Sequence, residues 1–160
     1  MLTQRKTGLE PGERAVDAWN VEVANRVLAE NFAAWVRALD LTVEEVGGGS
    51  AVLRMRFHDD LCRQGGIVSG QALSALADTA MVFAIASASG GYRPMATIDL
   101  HTTFMRAVAN ADVIADAQVE RLGRTMAFVR VTMRARPLDA ASTIDPDAIV
   151  ASAVGTFALP

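Results

Sequence analysis

The chain has 160 residues, 51% of them hydrophobic, which is enough for one domain with a sizeable core. A formal net charge of -3 gives no reason to expect a nucleic-acid partner, because phosphate binding needs a basic stripe. Cys62 is the only cysteine, which excludes an intramolecular disulfide, and neither a signal-peptide run over Met1 to Arg14 nor a charge-free apolar stretch of membrane-spanning length is present. The expectation is a cytoplasmic protein with no membrane partner.

Residues 1–12 are polar, end in Pro-Gly and predict a flexible arm, with a single domain over 13–160. A helical pattern begins at Glu13, with Val16, Trp19, Val23 and Val27 on one stripe, and continues, broken, through Phe32 and Trp35. Leu39 to Val46 alternates as a strand. Gly47-Gly48-Gly49 turns the chain, and Ala51, Leu53, Met55 and Phe57 alternate with Arg54 and Arg56, which predicts a β-hairpin.

An irregular loop from His58 to Gly66 leads into a helix from Gly70 to Ala88, apolar around most of its circumference and ended by Gly90-Gly91. Everything afterwards alternates with period two. Ala96, Ile98, Leu100, Thr102 and Phe104 oppose Thr97, Asp99, His101 and Thr103. Further alternating runs lie over Val113 to Glu120, Ala127 to Arg134 and Ile149 to Phe157, with turns at Val108–Asp112 and Leu122–Thr125 expected to join antiparallel neighbours. The order implies an α+β fold, one antiparallel sheet wrapped around a central helix, with a second copy of the chain covering the helix face that the sheet leaves bare.

The chemistry concentrates where the glycine loop meets that helix. N–H groups at a helix start have no intrahelical acceptor and can face a developing negative charge. Asp78, alone among alanines and leucines, is poorly solvated and should have a raised pKa. Together these point to acyl chemistry. Gly70 and Asp78 stand eight residues apart, roughly 12 Å along a helix, so one cannot attack a carbon whose oxygen is bound at the other. They act on one substrate only if Asp78 comes from a second chain, which predicts a two-fold dimer with two equivalent sites.

Gly66-Ile67-Val68-Ser69-Gly70-Gln71 and Leu76-Ala77-Asp78-Thr79-Ala80 resemble the Gly-x-Val-His-Gly-Gly and Leu-Ala-Asp-Thr-Ala motifs of the hotdog-fold acyl-CoA thioesterases of the phenylacetyl-CoA thioesterase-like (PaaI-type) family. Thr97 to Arg106, Arg121-Leu122-Gly123-Arg124-Thr125 and Gly155-Thr156-Phe157 are similar to its central strand, hairpin turn and closing strand, so the resemblance covers roughly Leu39 to Leu159. It implies a hotdog fold, a homodimer or homotetramer, no cofactor, and an acyl-CoA (a coenzyme A thioester) as the substrate. Asp78 takes the place of the catalytic carboxylate, as general base or nucleophile, and the Gly70 N–H that of the donor polarising the thioester carbonyl. Thr97 stands where relatives steady the attacking water. Three positions depart from the pattern: Ser69 replaces the usual His, Gln71 the second glycine, and Arg63 a usual Asn or Asp.

Ser69 reads as an N-cap or as a supporting contact, since no His lies nearby in sequence to make it a nucleophile. Arg63, Arg106, Arg124 and Thr125 are candidates for coenzyme A phosphates, or else solvated residues. Met81, Met95, Met105 and Met126 suit either an adaptable acyl pocket or core filling. His58, Asp59, Asp60 and Cys62 match no common zinc spacing. Asp99 and His101 are too few to hold a metal, so no metal site is expected. A non-catalytic acyl-CoA binder and a hotdog enoyl-CoA hydratase are the competing functions, the latter disfavoured by the lack of His between Gly65 and Ala88.

Overall fold

The computed structural model describes residues 18–160, so the predicted arm and the start of the first helical pattern, including Val16, lie outside the described residues. Helix α1 spans Val21–Asn31. It begins where the Asn20 side chain accepts the Val23 N–H at 3.0 Å, so Trp19 precedes the helix rather than lying on it. Its buried face is Ala24 and Leu28. The break at Phe32 is followed by the short α2, Ala34–Arg37, on which Trp35 is exposed and Val36 is buried.

Strands β1 (Leu41–Gly47) and β2 (Ser50–Met55) form the expected hairpin. The loop after β2 is more ordered than its sequence suggests: a 3-10 turn at Asp59–Leu61 precedes a two-stranded ribbon of β3 (Cys62–Arg63) and β4 (Ile67–Val68). The ribbon turns through Gly65 and Gly66, whose φ angles of 94° and 71° lie in the region that glycine adopts most easily. Helix α3, Gly70–Ser89, follows at once and ends at Gly90, φ 78°. Strands β5 (Ala96–Phe104), β6 (Ala111–Leu122), β7 (Met126–Pro137) and β8 (Ile149–Ala158) complete an antiparallel six-stranded sheet in the order β1-β2-β6-β7-β8-β5.

That order corrects one expectation. The segment Val108–Asp112 does not join neighbours, because β5 pairs with β8 at one edge while β6 inserts between β2 and β7. Alternation reveals which side chains share a face, but not which strand lies alongside.

The sheet curls around α3, whose Leu76, Ala77, Ala80, Met81, Phe83, Ala84 and Ile85 are fully buried. Alanines on both partners, Ala80 and Ala84 on the helix and Ala115, Ala117, Ala127 and Ala151 on the strands, let helix and sheet approach closely. Larger side chains fill the ends: Phe83 stacks between Trp19 and Phe32 at centroid distances of 6.1 and 5.5 Å, which holds the N-terminal segment over α3. Burying a side chain of this size stabilises the fold by about 1.5–3 kcal/mol. By length and composition α3 could cross a membrane, and it is instead this mostly buried core helix. Its covering is not complete, however, since Gln71, Ser74, Ala75, Asp78 and Val82 form a stripe that is only partly buried or exposed.

The two sheet edges differ. On β1, the Asn25 side chain accepts the Val43 N–H and donates to the Val43 carbonyl, both at 2.9 Å, so that an amide side chain occupies the place of another strand. On β5 no residue is fully buried, and Ile98 and Phe104 are 54% and 52% exposed.

Candidate active site

Ser69 has extended backbone and its hydroxyl accepts the Ala72 N–H at 3.3 Å, making it the N-cap of α3. The Leu73 N–H reaches the Ser69 carbonyl at 3.2 Å, which leaves the Gly70 and Gln71 N–H groups as first-turn donors without intrahelical acceptors. The α3 macrodipole adds positive potential there. Gly70 fits its place for a second reason: a Cβ on it would stand 3.1 Å from the Phe104 ring, which lies against the helix start.

Beside Gly70 opens a cleft of about 340 Å³, lined by Arg63, Ile67, Val68, Leu73 and the segment Phe104–Ala107. The structure therefore brings Gly70, Arg63 and Arg106 together. Gly66 lies in the ribbon turn, donating its N–H to the Arg63 carbonyl at 3.2 Å, and Gln71 is exposed in the first turn of α3. Phe104 escaped sequence reasoning because an aromatic residue ending an alternating strand carries no signal of the helix it will meet.

Asp78 does not line that cleft. It faces the opposite end of β5, where its Oδ1 accepts the Thr97 hydroxyl at 2.8 Å. Strict alternation would turn Thr97 away from Leu100, Thr102 and Phe104. The register shift between Thr97 and Asp99 inserts Ile98 as a bulge instead, so Thr97 pairs with the buried Phe157 and faces α3. Burial pushes the Asp78 carboxyl above its ordinary value of 3.8, while the Thr97 hydrogen bond partly opposes the shift by favouring the charged form.

The remaining candidates lie elsewhere. Arg124 and Thr125 are exposed in the β6–β7 turn, at the Thr97 end of the sheet, where Met126 pairs with Ala158 and Ala158 with Ala96. Met81 is core, packed so tightly that a Cβ on Gly155 would meet its sulfur at 2.6 Å, whereas Met105 is exposed at the cleft. Cys62 is half-buried, and burial and Asp59 raise its thiol pKa, which disfavours the nucleophilic thiolate. Among the described residues no group of three or more His, Cys, Asp and Glu could hold a metal ion. His101 lies on the sheet face opposite α3, with its ring Nε2 3.4 Å from the Thr103 hydroxyl.

A family model for the thioesterase superfamily matches residues 65–140, the stretch from the glycine turn through β7. Among named proteins, the chain is 36% identical over 102 residues to a candidate esterase of Halobacterium salinarum, covering 59% of this chain and 66% of that protein. It is 30% identical over 110 residues to a candidate esterase of Pseudomonas aeruginosa, covering 68% and 75%. Among solved structures, the phenylacetic acid degradation protein PaaI of Thermus thermophilus superposes with a TM-score of 0.66 at 26% identity, covering 80% of this chain and 100% of that one.

Proposed function

We propose that this chain, which belongs to the thioesterase superfamily and has the hotdog fold, hydrolyses acyl-CoA thioesters at sites shared between two copies of itself. The observation that carries the proposal is the division of the machinery. Gly70, whose N–H has no intrahelical acceptor, lines the cleft near Phe104, while the Asp78 carboxyl lies on the same helix near Thr97.

The open edge of β5 offers the way to join them. A two-fold axis near its midpoint, Leu100, would pair β5 antiparallel with its copy. Thr97 and Asp78 of the partner subunit would then come opposite Phe104 and Gly70, and the partly covered stripe of α3 would be closed. On the β1 edge, by contrast, Asn25 already occupies the N–H and carbonyl of Val43.

In such a site the thioester oxygen accepts the Gly70 N–H, a donor worth roughly 3 kcal/mol to an oxyanion in a water-excluding site. Asp78 of the partner subunit removes a proton from water, or attacks the acyl carbon itself, and a raised pKa makes it the stronger base. Thr97 holds one carboxylate oxygen and so aims the other. The turn carrying Arg124 and Thr125 in the partner subunit falls about three strand spacings from Phe104, on the order of 14 Å. That is comparable with an extended pantetheine arm, so this turn is suited to meet coenzyme A phosphates.

The decisive experiment is release of free thiol from a panel of aromatic and aliphatic acyl-CoAs, with Asp78→Ala as the control. Turnover lost in a folded variant supports the proposal, and unchanged turnover overturns it. Saturable binding without thiol release from any member would instead identify an acyl-CoA binder, the reading favoured by Ser69 and Arg63 at positions where relatives carry other residues. Hydration of an enoyl thioester is disfavoured because neither His58 nor His101 lines the cleft.

A further inference from the structure

Resting on the thioesterase reading, we infer that the cleft beside Gly70 selects acyl groups that end in a carboxylate, which Arg63 and Arg106 recognise. The cleft is lined by apolar residues, Leu73 and Phe104 among them, and by Arg63 and Arg106, and no acidic residue among the described residues lines it. Among the described residues, the Arg63 side chain donates only to the Gln64 carbonyl, at 3.3 Å, and neither Arg63 nor Arg106 meets a carboxylate. Elsewhere the chain pairs such groups closely: Arg136 grips Glu44 with two bonds of 2.7 and 2.9 Å, and Arg130 meets Glu120 at 2.7 Å. Asp145 lines a neighbouring cleft that shares Arg106, but its Oδ1 accepts the Asp147 N–H and it forms no ion pair with Arg106.

Size separates the two anions these arginines could serve. A space of about 340 Å³ is about 9 Å across if compact, and Arg63, Arg106 and Gly70 all line it, so an acyl group whose carbonyl sits at Gly70 has both arginines within reach of its far end. The pantetheine arm, comparable to four residues of extended chain, keeps the nearest phosphate of coenzyme A on the order of 15 Å from the sulfur. A carboxylate two to four carbons beyond the carbonyl reaches the arginines, and it matches the planar donor fork of Arg. A neutral chain in the same place would desolvate the guanidinium groups without pairing them, which is the condition under which polar sites discriminate strongly. The reaction is ordinary hydrolysis. Water oxygen bonds to the acyl carbon, the C–S bond breaks, the thiolate takes the proton, and a dicarboxylic acid leaves.

The test compares kcat/KM for adipyl against hexanoyl and succinyl against butyryl thioesters. Each acyl group is carried on coenzyme A and on N-acetylcysteamine, which has no phosphate. The expected result is a preference of about 10- to 100-fold for the carboxylated member of a pair on both carriers, the scale of a hydrogen bond to a charged group. Arg63→Gln and Arg106→Gln should each shrink that ratio, with Arg63→Lys retaining part of it, and circular dichroism confirms that the variants are folded. Equal rates within both pairs would overturn the inference. So would arginine variants that slow every coenzyme A thioester alike while sparing N-acetylcysteamine thioesters, because the arginines would then serve phosphate. Hydrolysis of no thioester at all would remove the thioesterase reading and this inference with it.

Discussion

The Thr97 hydroxyl donates to Asp78 Oδ1 at 2.8 Å, and it does so because Ile98 is a bulge. This hydrogen bond favours the charged carboxylate while burial disfavours it more, so the folded pKa stands above 3.8. If Asp78 is the base, kcat/KM rises with pH along an acid limb lying above the ordinary carboxylate value. Thr97→Val removes the opposing influence and should move that limb to higher pH, while a limb that stays in place in a pH–rate profile would argue against the assigned role.

The same burial has a consequence for stability. A carboxyl that binds its proton more tightly when folded contributes most below its unfolded pKa, and that contribution is lost as pH rises through the folded value. Asp78→Asn should therefore melt at a higher temperature than the parent chain at pH 7, with the difference vanishing below about pH 4. Activity should fall by about 10²- to 10⁴-fold, the range of a positioned general base. A pair of thermal melts and one rate measurement check both parts.

Gly70→Ala and Gly70→Pro separate the N–H from the space around it. Both add a Cβ against Phe104, which must yield by a few tenths of an ångström, but only proline deletes the donor. Proline is tolerated at the first helical position, and the extended Ser69 before it is compatible. The expected kcat of Gly70→Pro lies about 10²- to 10³-fold below that of Gly70→Ala, with similar melting temperatures. Equal rates would remove Gly70 from the oxyanion role.

Shared sites make a quantitative claim about mixtures. If the chain is the proposed dimer, Asp78→Asn and Gly70→Pro homodimers should both be nearly inactive, but half of the dimers from an equal refolded mixture would carry one of each. Each mixed dimer holds one intact site, so the mixture should recover about a quarter of parental activity. An Ile98→Lys substitution on the open edge should yield a monomer by light scattering and lose activity with the dimer, since a charge on an edge strand opposes pairing. No recovery in the mixture would mean that each chain works alone.

Ser69 gives the milder prediction. Its hydroxyl accepts the Ala72 N–H, so Ser69→Ala should cost about 1 kcal/mol of stability, read from denaturant unfolding, while thioester hydrolysis persists. Loss of activity comparable to that of Asp78→Ala would show that the hydroxyl takes part in the chemistry.

By itself the sequence determined the layers of this protein and the two halves of its candidate site. Periodicity separated the strands from the apolar core helix, the glycine-to-helix junction marked Gly70, and a lone carboxylate among alanines marked Asp78, because each is a local property that the chain cannot hide. The eight-residue spacing led to the proposal that each site draws on a second chain. Tertiary structure alone decided the rest. It sent β5 to the edge beside β8, turned Thr97 inward through a one-residue bulge, laid Phe104 against Gly70, gathered Arg63 and Arg106 around one cleft, and used Asn25 to close the opposite edge. Alternation has a period of two and names a face, not a partner. A single inserted residue reverses that face with no compositional signal, and contacts between residues as distant in sequence as Asn25 and Val43 exist only once the sheet has closed around its helix.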